Sequence, residues 1–334
     1  MPPTVSIIVP CYNEQATIHL LLDAILAQTY PISNMEVVIA DGISQDKTLV
    51  VIDNFSKEHA GLAIRVLENK QHSIPSSLNL AIEGSQGEII VRLDAHSMPI
   101  PEYVERCVRA LEEGRGSCVG GVWMIRSGGE GWIAKSIAAA AAHPLGVGDA
   151  MYRLEAKASA VDTVPFGSFR RELIGKIGRF DESLLANEDY EFNTRVRQSG
   201  GLVWLDPQIR STYIARASLT DLAKQYWRYG YWKFKMLTRY PATLRWRQAL
   251  PPLFVLSLFI MILLSIFDRR AIIFMCIEIF TYLLILMGAG AEAAIRQGNL
   301  FFIPGLMLAI MTMHISWGSG FLWSLVSNPF KKND

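Results

Sequence analysis

The chain has 334 residues, of which 32 are basic and 31 acidic, so the formal net charge is +1. This balance gives no general attraction to nucleic acid, and nucleic-acid binding is not expected. Hydrophobic residues make up 51% of the chain, and their excess lies after Pro251, where charged residues become scarce. The four cysteines show no CxxC spacing, so neither a zinc site nor a redox motif is expected.

The first part of the chain alternates short apolar strands with amphipathic helices. Helices are predicted to begin near residues 13, 46 and 76, and strands are predicted at residues 5–9, 36–40, 64–67 and 88–93. This alternation is typical of an α/β fold with a parallel sheet. Ligands bind such sheets beyond the carboxyl ends of the strands. The polar residues that follow three of these strands therefore predict one shared cleft.

Asp94 and His96 directly follow the fourth predicted strand. At positions i and i+2, their side chains project to the same side of an extended chain. A carboxylate and an imidazole so placed can hold one divalent cation and leave positions open for a phosphate-bearing ligand. The alternative is that Asp94 only caps the next turn.

At the end of the second strand, Asp41 precedes Gly42. An aspartate there can accept local backbone hydrogen bonds in an ordinary turn. At the carboxyl edge of a nucleotide-binding sheet it can instead accept a hydrogen bond from a base imide, such as the N–H of uracil. The convergence of polar strand ends on one cleft adds weight to this second interpretation.

Glu188 and Asp189 begin a predicted helix, where the helix dipole favours negative charge. A carboxylate near an acceptor hydroxyl can also act as a general base. The two interpretations are compatible, because the N-terminus of a helix is a good place to hold a carboxylate rigidly.

A helix that Thr220 can cap interleaves aromatic residues with lysine and arginine, and residues 224–247 contain no acidic residue. This mixture predicts an interfacial helix at the level of the lipid headgroups, because apolar segments follow it. Arg228 can neutralise a diphosphate through its forked donors, or it can snorkel beside membrane aromatics. Trp227 and Tyr229 can stack on a sugar or line an acceptor channel.

Three apolar segments follow, at about residues 250–267, 271–290 and 300–326. Each reaches or nears the roughly 20 residues that span a bilayer. Glu278 and His314 interrupt them, and such groups are either functional or bonded to a neighbouring helix. The chain begins without a signal-peptide pattern, so the first part is expected in the cytosol. Arg269–Arg270 would then lie outside, against the positive-inside tendency, and the first hairpin can be shallow or re-entrant.

An alanine-rich stretch at residues 133–142 is helical by propensity. It either packs tightly or lies on a membrane surface.

In their order along the chain, these motifs resemble family 2 glycosyltransferases of the GT-A fold, over roughly residues 4–240. The segments that carry the resemblance are Val5–Glu14, Val37–Asp46, Asp94–His96, Glu188–Asp189 and Gln225–Tyr229. His96 stands where the family has a second metal-binding aspartate, and Tyr229 stands where polymerising members have tryptophan. The Asp-Ala-His motif and the apolar tail are similar to succinoglycan-type exopolysaccharide glycosyltransferases, which extend an oligosaccharide on polyprenyl diphosphate.

The resemblance implies a role for each matching residue. A mixed, mainly parallel GT-A sheet would carry a metal at Asp94 and His96, where the neutral nitrogen favours Mn²⁺ over Mg²⁺. Asp189 would be the catalytic base beside Glu188. The residues implied in nucleotide-sugar binding are Pro10, Tyr12, Asn13, Glu14, Asp41 and Asp94, and those implied at the diphosphate and acceptor are Gln225, Trp227, Arg228 and Tyr229.

The expected protein has a glycosyltransferase domain at residues 1–218, interfacial helices at 219–248 and a membrane region at 249–334. It would be an inverting, metal-dependent hexosyltransferase of the inner membrane, multi-pass, with a cytoplasmic catalytic domain. The expected donor is a nucleotide-sugar, first of all UDP-glucose, and the expected acceptor is a polyprenyl-diphosphate-linked oligosaccharide.

Three alternatives remain at this point: a processive synthase of the same family, a sugar-phosphate nucleotidyltransferase and a membrane scaffold. The nucleotidyltransferase needs a glycine-rich loop with a basic residue after the first strand, and a dinucleotide-dependent dehydrogenase needs GxGxxG there. Cys11–Glu14 contains no glycine, which disfavours both. A scaffold leaves the polar strand ends unexplained.

Overall fold

The computed structural model describes residues 2–154 and 156–327. The chain forms two compact units. The sheet unit consists of Met1–Met124 and Leu154–Tyr213, and the helical unit consists of Ile125–Arg153 and Ile214–Asp334. Residues 328–334, at the end of the predicted membrane region, lie outside the described part. The functional boundaries expected at residues 218 and 248 stay predictions.

The nine strands of the described residues belong to one mixed sheet, in the order β3-β2-β1-β4-β8-β6-β9-β5 with β7 beside β9. The strands are β1 (Val5–Cys11), β2 (Met35–Asp41), β3 (Ala63–Glu68), β4 (Ile89–Arg92), β5 (Met98–Pro99), β6 (Cys118–Arg126), β7 (Ser159–Ala160), β8 (Ser168–Arg170) and β9 (Val203–Ile214). Strands β3, β2, β1 and β4 are parallel, and β8 is antiparallel to β4. The predicted mixed, mainly parallel sheet is confirmed.

The register brings the ends of the parallel strands together. Cys11 lies opposite Asp41, and Asp41 lies opposite Glu68. Arg92, the last residue of β4, lies opposite Ile8 of β1. Every residue of β1 is buried, which explains its nearly continuous apolar sequence, because helices cover both faces of a parallel sheet.

The helices follow in chain order. They are α1 (Ile18–Leu26), α2 (Thr48–Glu58), α3 (Ile74–Gly84), α4 (Tyr103–Glu112), α5 (Trp132–Ala141), α6 (Pro144–Val147), α7 (Glu172–Ile177), α8 (Glu188–Gln198), α9 (Leu219–Arg239), α10 (Trp246–Leu264), α11 (Arg270–Gln297) and α12 (Phe302–Ser327). Helix α1 buries Leu21, Leu22 and Ile25 in the core under β1 and β2. Each such side chain contributes roughly 1.5–3 kcal/mol of hydrophobic stabilisation.

Helix α1 begins five residues later than the sequence predicts. Asn13 has a positive φ of 54°, which is left-handed backbone that a right-handed helix excludes. Its side chain and backbone are bonded to the loop after β2. These contacts between distant loops override the local helix pattern until Ile18.

In the helical unit, α12 packs against α5, α9, α10 and α11. The backbones of α9 and α12 approach closely at Gly230 and Gly320: a Cβ atom at Gly230 would collide with the carbonyl of Trp317, and one at Gly320 with the carbonyl of Trp227. A Cβ atom at Gly305 of α12 would collide with the Ser136 side chain of α5. Of the two expected roles for the alanine-rich helix, the structure therefore shows tight packing.

Three helices in the described part of the chain are long and apolar enough to cross a membrane, namely α10, α11 and α12. Glu278 and His314 are hydrogen-bonded to neighbouring helices. Ser257 of α10 donates to Glu278 of α11. His314 of α12 lies 3.0 Å from the Tyr282 hydroxyl and 2.7 Å from the Leu145 carbonyl. This is the simpler of the two roles expected for Glu278 and His314.

Candidate active site

The loops after β1 and β2 are bonded to each other at the carboxyl edge of the sheet. The backbone N–H of Asn13 donates to the Ser44 hydroxyl, and the N–H of Gln45 donates to the Asn13 side chain, each over 2.8 Å. The N–H of Glu14 donates to Thr48 over 2.8 Å. Asn13 and Glu14, both predicted to bind the nucleotide-sugar, therefore lie in a loop that is hydrogen-bonded to the segment after β2. We call this edge of the site the rim.

The carboxylate of Asp41 is buried beneath this rim. One of its oxygens accepts from the Ser44 backbone N–H over 2.8 Å, and the other accepts from the Ser44 hydroxyl over 2.6 Å. The turn interpretation of Asp41 is therefore correct. Each carboxylate oxygen can accept a second hydrogen bond, so the predicted contact with a nucleobase is compatible with these bonds and stays a prediction.

Tyr12 and His72 form an aromatic corner beside the same rim. Tyr12 is 51% exposed, and the His72 ring meets it edge-on with centroids 6.4 Å apart. The Nδ1 atom of His72 lies 2.6 Å from the Gly42 carbonyl. Pro10, in contrast, is buried inside β1 opposite Ala40. Sequence patterns did not single out His72, whose position depends on the fold.

Left-handed backbone is concentrated around this edge. In the described residues, the non-glycine residues with positive φ are Asn13, Ile43, His72, Phe166 and Asn187. The first three belong to the loops that follow β1, β2 and β3, and Asn187 directly precedes Glu188. Such conformations persist only where the surrounding structure fixes them, and they are frequent at functional sites.

Asp94 and His96 lie in a turn beyond β4 rather than on the strand. Ser97 donates to the Asp94 carbonyl through both its N–H (2.9 Å) and its hydroxyl (2.7 Å). The exposed His96 ring places Nδ1 3.1 Å from a carboxylate oxygen of Glu14. Burial opposes ionisation of Glu14, but hydrogen bonds from His96 and Thr17 lower its pKa overall.

The described residues contain no preformed cluster of three or more histidine, cysteine or acidic side chains that could hold a metal ion. The donor set of Asp94 and His96 nevertheless fits an open site. One oxygen of Asp94 is in an ion pair, and the other lies outside it. An oxygen and a nitrogen donor suit Mn²⁺, with phosphate oxygens of a ligand completing the coordination.

Arg92 joins Asp94 of the predicted metal site to Asp189, the predicted base. Its guanidinium is 2% exposed and contacts the carboxylates of Asp189, Asp94 (3.1 Å) and Glu188 (3.0 Å). The Phe166 ring lies 5.7 Å from its central carbon. The structure thus brings Asp94, Glu188 and Asp189 together on one buried cation.

The environment of this cluster shifts the acidity of its members. Desolvation raises the pKa of Asp189 to about 7, and the charges of Glu188 and Asp94 add to the rise while Arg92 opposes it. Burial lowers the pKa of Arg92, but the three carboxylates raise this pKa by more than burial lowers it. The guanidinium therefore stays charged. Asp189 is still 23% exposed, so a hydroxyl can reach it. A carboxylate of this kind suits general-base chemistry near neutral pH.

Arg92 was missed from sequence because it looks like one position of an apolar strand. The available signal is a charged residue inside an otherwise buried run, two positions before Asp94 and therefore on the same side of an extended chain. Arginine is almost never fully buried unless it is paired. An arginine in this position predicts acidic partners from elsewhere in the chain.

The predicted acceptor residues lie on α9 in the helical unit. The Gln225 side chain donates to the Tyr229 hydroxyl over 3.0 Å. Trp227 is 40% exposed and stacks on Tyr231 with centroids 5.5 Å apart. Arg228 is exposed. The helix begins at Leu219 with Ser218 as its cap, two residues before the expected Thr220. The acceptor roles stay predictions.

The fold is that of a GT-A glycosyltransferase. Residues 6–178 match glycosyl transferase family 2, and the chain belongs to this family. The family resemblance expected from the motifs is confirmed, and family membership supports the predicted glycosyltransferase class.

Two relatives match most of the chain. It is 29% identical over 318 residues to the succinoglycan biosynthesis protein ExoA of Rhizobium meliloti, covering 94% of this chain and 93% of that protein. It is also 29% identical over 279 residues to the dolichyl N-acetyl-alpha-D-glucosaminyl phosphate 3-beta-D-2,3-diacetamido-2,3-dideoxy-beta-D-glucuronosyltransferase of Methanococcus voltae, covering 82% and 84%.

Among solved structures, the chain is similar to the mannosyltransferase PcManGT from Pyrobaculum calidifontis in complex with GDP-Man and Mn²⁺. The TM-score is 0.64 at 20% sequence identity, and the match covers 97% of this chain and 88% of that one. This likeness shows the fold.

Proposed function

We propose that the protein is a membrane-bound, inverting hexosyltransferase that moves a sugar from a nucleotide-sugar to a lipid-linked saccharide. The observation that carries the proposal is the meeting of Asp94 with Glu188 and Asp189 on Arg92. A family 2 chain with its metal motif next to a solvent-reachable carboxylate has the two groups that sugar transfer requires: one for the leaving diphosphate and one for the acceptor proton.

The donor would lie across the carboxyl ends of β1, β2 and β4. Asp41 would accept a hydrogen bond from the base, and the rim of Tyr12, Asn13 and Glu14 would surround the nucleotide. Asp94 and His96 would hold a Mn²⁺ or Mg²⁺ ion, whose charge stabilises the departing diphosphate. Pro10 would support this rim from inside β1.

Asp189 would act on the acceptor. Its carboxylate takes the proton of an acceptor hydroxyl while the hydroxyl oxygen forms a bond to the anomeric carbon. The bond from that carbon to the phosphate oxygen breaks on the opposite face, and its electron pair leaves with the nucleoside diphosphate. One displacement inverts the anomeric carbon, so no covalent sugar–enzyme intermediate is needed.

The acceptor would be an oligosaccharide on polyprenyl diphosphate, reached from the cytoplasmic side of the inner membrane. Helices α10, α11 and α12 support a membrane location by length and composition, and one relative is named for succinoglycan biosynthesis. Arg228, with Gln225, Trp227 and Tyr229 beside it on α9, would receive the acceptor diphosphate and sugar. UDP-glucose is the first donor to test, and the GDP-Man bound by the similar structure makes guanosine donors the second.

The test uses the full chain in detergent, with a panel of UDP-, GDP- and dTDP-sugars and a polyprenyl-diphosphate-sugar acceptor. Nucleotide release is measured with Mn²⁺, with Mg²⁺ and with EDTA. We expect release from one donor that requires both acceptor and metal, and NMR of the product should show an inverted anomeric centre.

The matched variants are Asp189→Asn and Asp53→Asn, the latter an exposed aspartate of α2 paired with Lys57. Asp189→Asn should lower kcat by at least about 100-fold, whereas Asp53→Asn should leave it unchanged. Wild-type kcat in Asp189→Asn would exclude Asp189 as the base. Retention of the anomeric configuration would exclude the single displacement.

A further inference from the structure

The Arg92 cluster gathers groups from distant parts of the chain. Arg92 ends β4 and Asp94 follows it, whereas Glu188 and Asp189 begin α8 and lie 96 and 97 residues after Arg92. Three carboxylates contact one guanidinium, so full ionisation leaves an excess of two negative charges. Without the cation, these carboxylates would repel one another and turn away or take up protons.

The arginine itself is not fully satisfied by this arrangement. Its Nε atom is buried and has no hydrogen-bond partner in the described residues, although leaving a buried donor unpaired costs about 1–3 kcal/mol. Both terminal nitrogens are used on carboxylates. The orientation of the guanidinium therefore follows the three acidic side chains rather than its own hydrogen-bonding needs.

The three carboxylates are each more exposed than the guanidinium of Arg92 that they contact. Arg92 is 2% exposed, Glu188 is 13% exposed, and Asp94 and Asp189 are both 23% exposed. The contacts to Arg92 use one oxygen each of Asp94 and Asp189. Each of these two carboxylates thus has a second oxygen that does not contact Arg92.

We propose that Arg92 is a positioning residue that holds the base Asp189 and the metal ligand Asp94 in a fixed relation to each other. This inference rests on the proposed function. The planar fork of arginine fixes directions as well as charge, which the point charge of lysine does not. Arg92 touches no substrate itself and acts through the two carboxylates that do.

The experiment compares Arg92→Gln and Arg92→Lys with the control Arg65→Gln. Arg65 lies on β3, which β2 and β1 separate from β4 in the sheet. It is 45% exposed and pairs with Glu36 at 3.8 Å, away from the cluster. For each full-length variant we would measure the melting temperature, Mn²⁺-dependent UDP binding and kcat with a saturating donor and acceptor.

Two effects are expected together in Arg92→Gln. The kcat falls by about 100-fold or more because the base loses its orientation, and Mn²⁺-dependent UDP binding weakens several-fold because Asp94 is no longer held. Arg92→Lys keeps the positive charge, so part of the kcat and part of the UDP binding should be retained, with kcat about 10-fold below wild type. Asp189→Asn should lower kcat without changing UDP binding. A double variant of Arg92→Lys with Asp189→Asn should have nearly the kcat of Asp189→Asn alone.

The proposal is overturned if a folded Arg92→Gln protein keeps wild-type kcat and UDP binding. It is also overturned if Arg92→Lys is no better than Arg92→Gln and both simply melt earlier, which would mean a structural ion pair. If Arg92→Gln does not fold, Arg92→Lys decides alone, and wild-type values in both assays reject the proposal. A wild-type protein without sugar transfer would instead reject the proposed function, so the two failures differ.

Discussion

The hydroxyl of Ser44 links Asn13 to Asp41. It accepts the backbone N–H of Asn13 over 2.8 Å and donates to the Asp41 carboxylate over 2.6 Å. The loop after β1 and the buried acid at the end of β2 are therefore joined through one small side chain. Both residues are predicted to contact the nucleotide, so their mutual position sets the shape of that pocket.

Ser44→Ala should weaken nucleotide binding without unfolding the sheet unit. The substitution removes two hydrogen bonds, each worth about 0.5–1.5 kcal/mol net, and we expect a roughly 5- to 10-fold higher Kd for UDP. Isothermal titration calorimetry measures the change. Ser33→Ala is the control, since Ser33 is exposed and its hydroxyl donates to the neighbouring Asn34 side chain. An unchanged Kd in Ser44→Ala would contradict a nucleotide pocket at this rim.

The kcat/KM for sugar transfer should fall as pH is lowered below about 7. A base works only when ionised, and the desolvated Asp189 has its pKa raised to about 7. We therefore expect kcat/KM to rise with pH up to about 7 and to level off above it, with a loss of about tenfold per pH unit below. A pH profile of sugar transfer at fixed metal concentration checks this. An acid limb at the ordinary aspartate pKa would contradict the raised value.

The same raised pKa should make Asp189 unfavourable for stability at high pH. The folded protein retains a proton that the unfolded chain, with an aspartate pKa of 3.8, has already lost, so the free energy of unfolding falls as pH rises from 3.8 to about 7. Asp189→Asn removes this decrease in the free energy of unfolding, and Arg92 keeps its contacts with Glu188 and Asp94. We expect a higher melting temperature than wild type at pH 8 and a smaller difference at pH 5. A lower melting temperature at pH 8 would contradict the argument.

Gly230→Ala should destabilise the helical unit. A Cβ atom there would collide with the Trp317 carbonyl of α12, and a shift of packed helices costs about 1–3 kcal/mol. Gly288→Ala on α11 is the matched control, because a Cβ atom at Gly288 meets no atom within 4 Å. Alanine is the better helix former, so Gly288→Ala should leave the melting temperature in detergent unchanged or higher. Equal effects of the two variants would argue against the close crossing of α9 and α12.

His96→Asp should change the metal preference. A carboxylate in place of the imidazole makes both donors hard oxygens, which suit Mg²⁺ better than a nitrogen donor does. We expect the ratio of kcat with Mg²⁺ to kcat with Mn²⁺ to rise several-fold. The new carboxylate would face Glu14, which lies 3.1 Å from the present ring, so weaker binding of UDP without metal is expected as well. An unchanged ratio would remove His96 from the metal site.

Local patterns in the sequence were enough for the four parallel strands and for the three long apolar helices. β1, β2 and β4 are apolar runs because the sheet buries them, and α10–α12 are long apolar runs, so each element is encoded by its own residues. Asp41, Asp94 and Glu188–Asp189 were found because they directly follow or begin such elements. The order of these motifs then indicated the family.

The remaining site residues depend on contacts between distant parts of the chain. Ser44 and His72 are ordinary loop residues until the fold brings them to Asn13 and Tyr12. In the sequence, Arg92 is a single charged residue within a buried strand. Only the folded chain places Glu188 and Asp189 of α8 against it. A helix start near residue 13 is locally reasonable, and only the bonds of the loop after β2 move it to Ile18.

The Arg92 cluster also restricts how this sequence can change during evolution. Loss of the arginine leaves three like charges in one place, and loss of an acidic partner alters the balance around the other two. Neutral drift at any one of the four positions therefore passes through a less fit intermediate unless a second position changes with it. Among divergent relatives, these four positions should vary as a set, while the exposed ion pair of Asp53 and Lys57 varies freely.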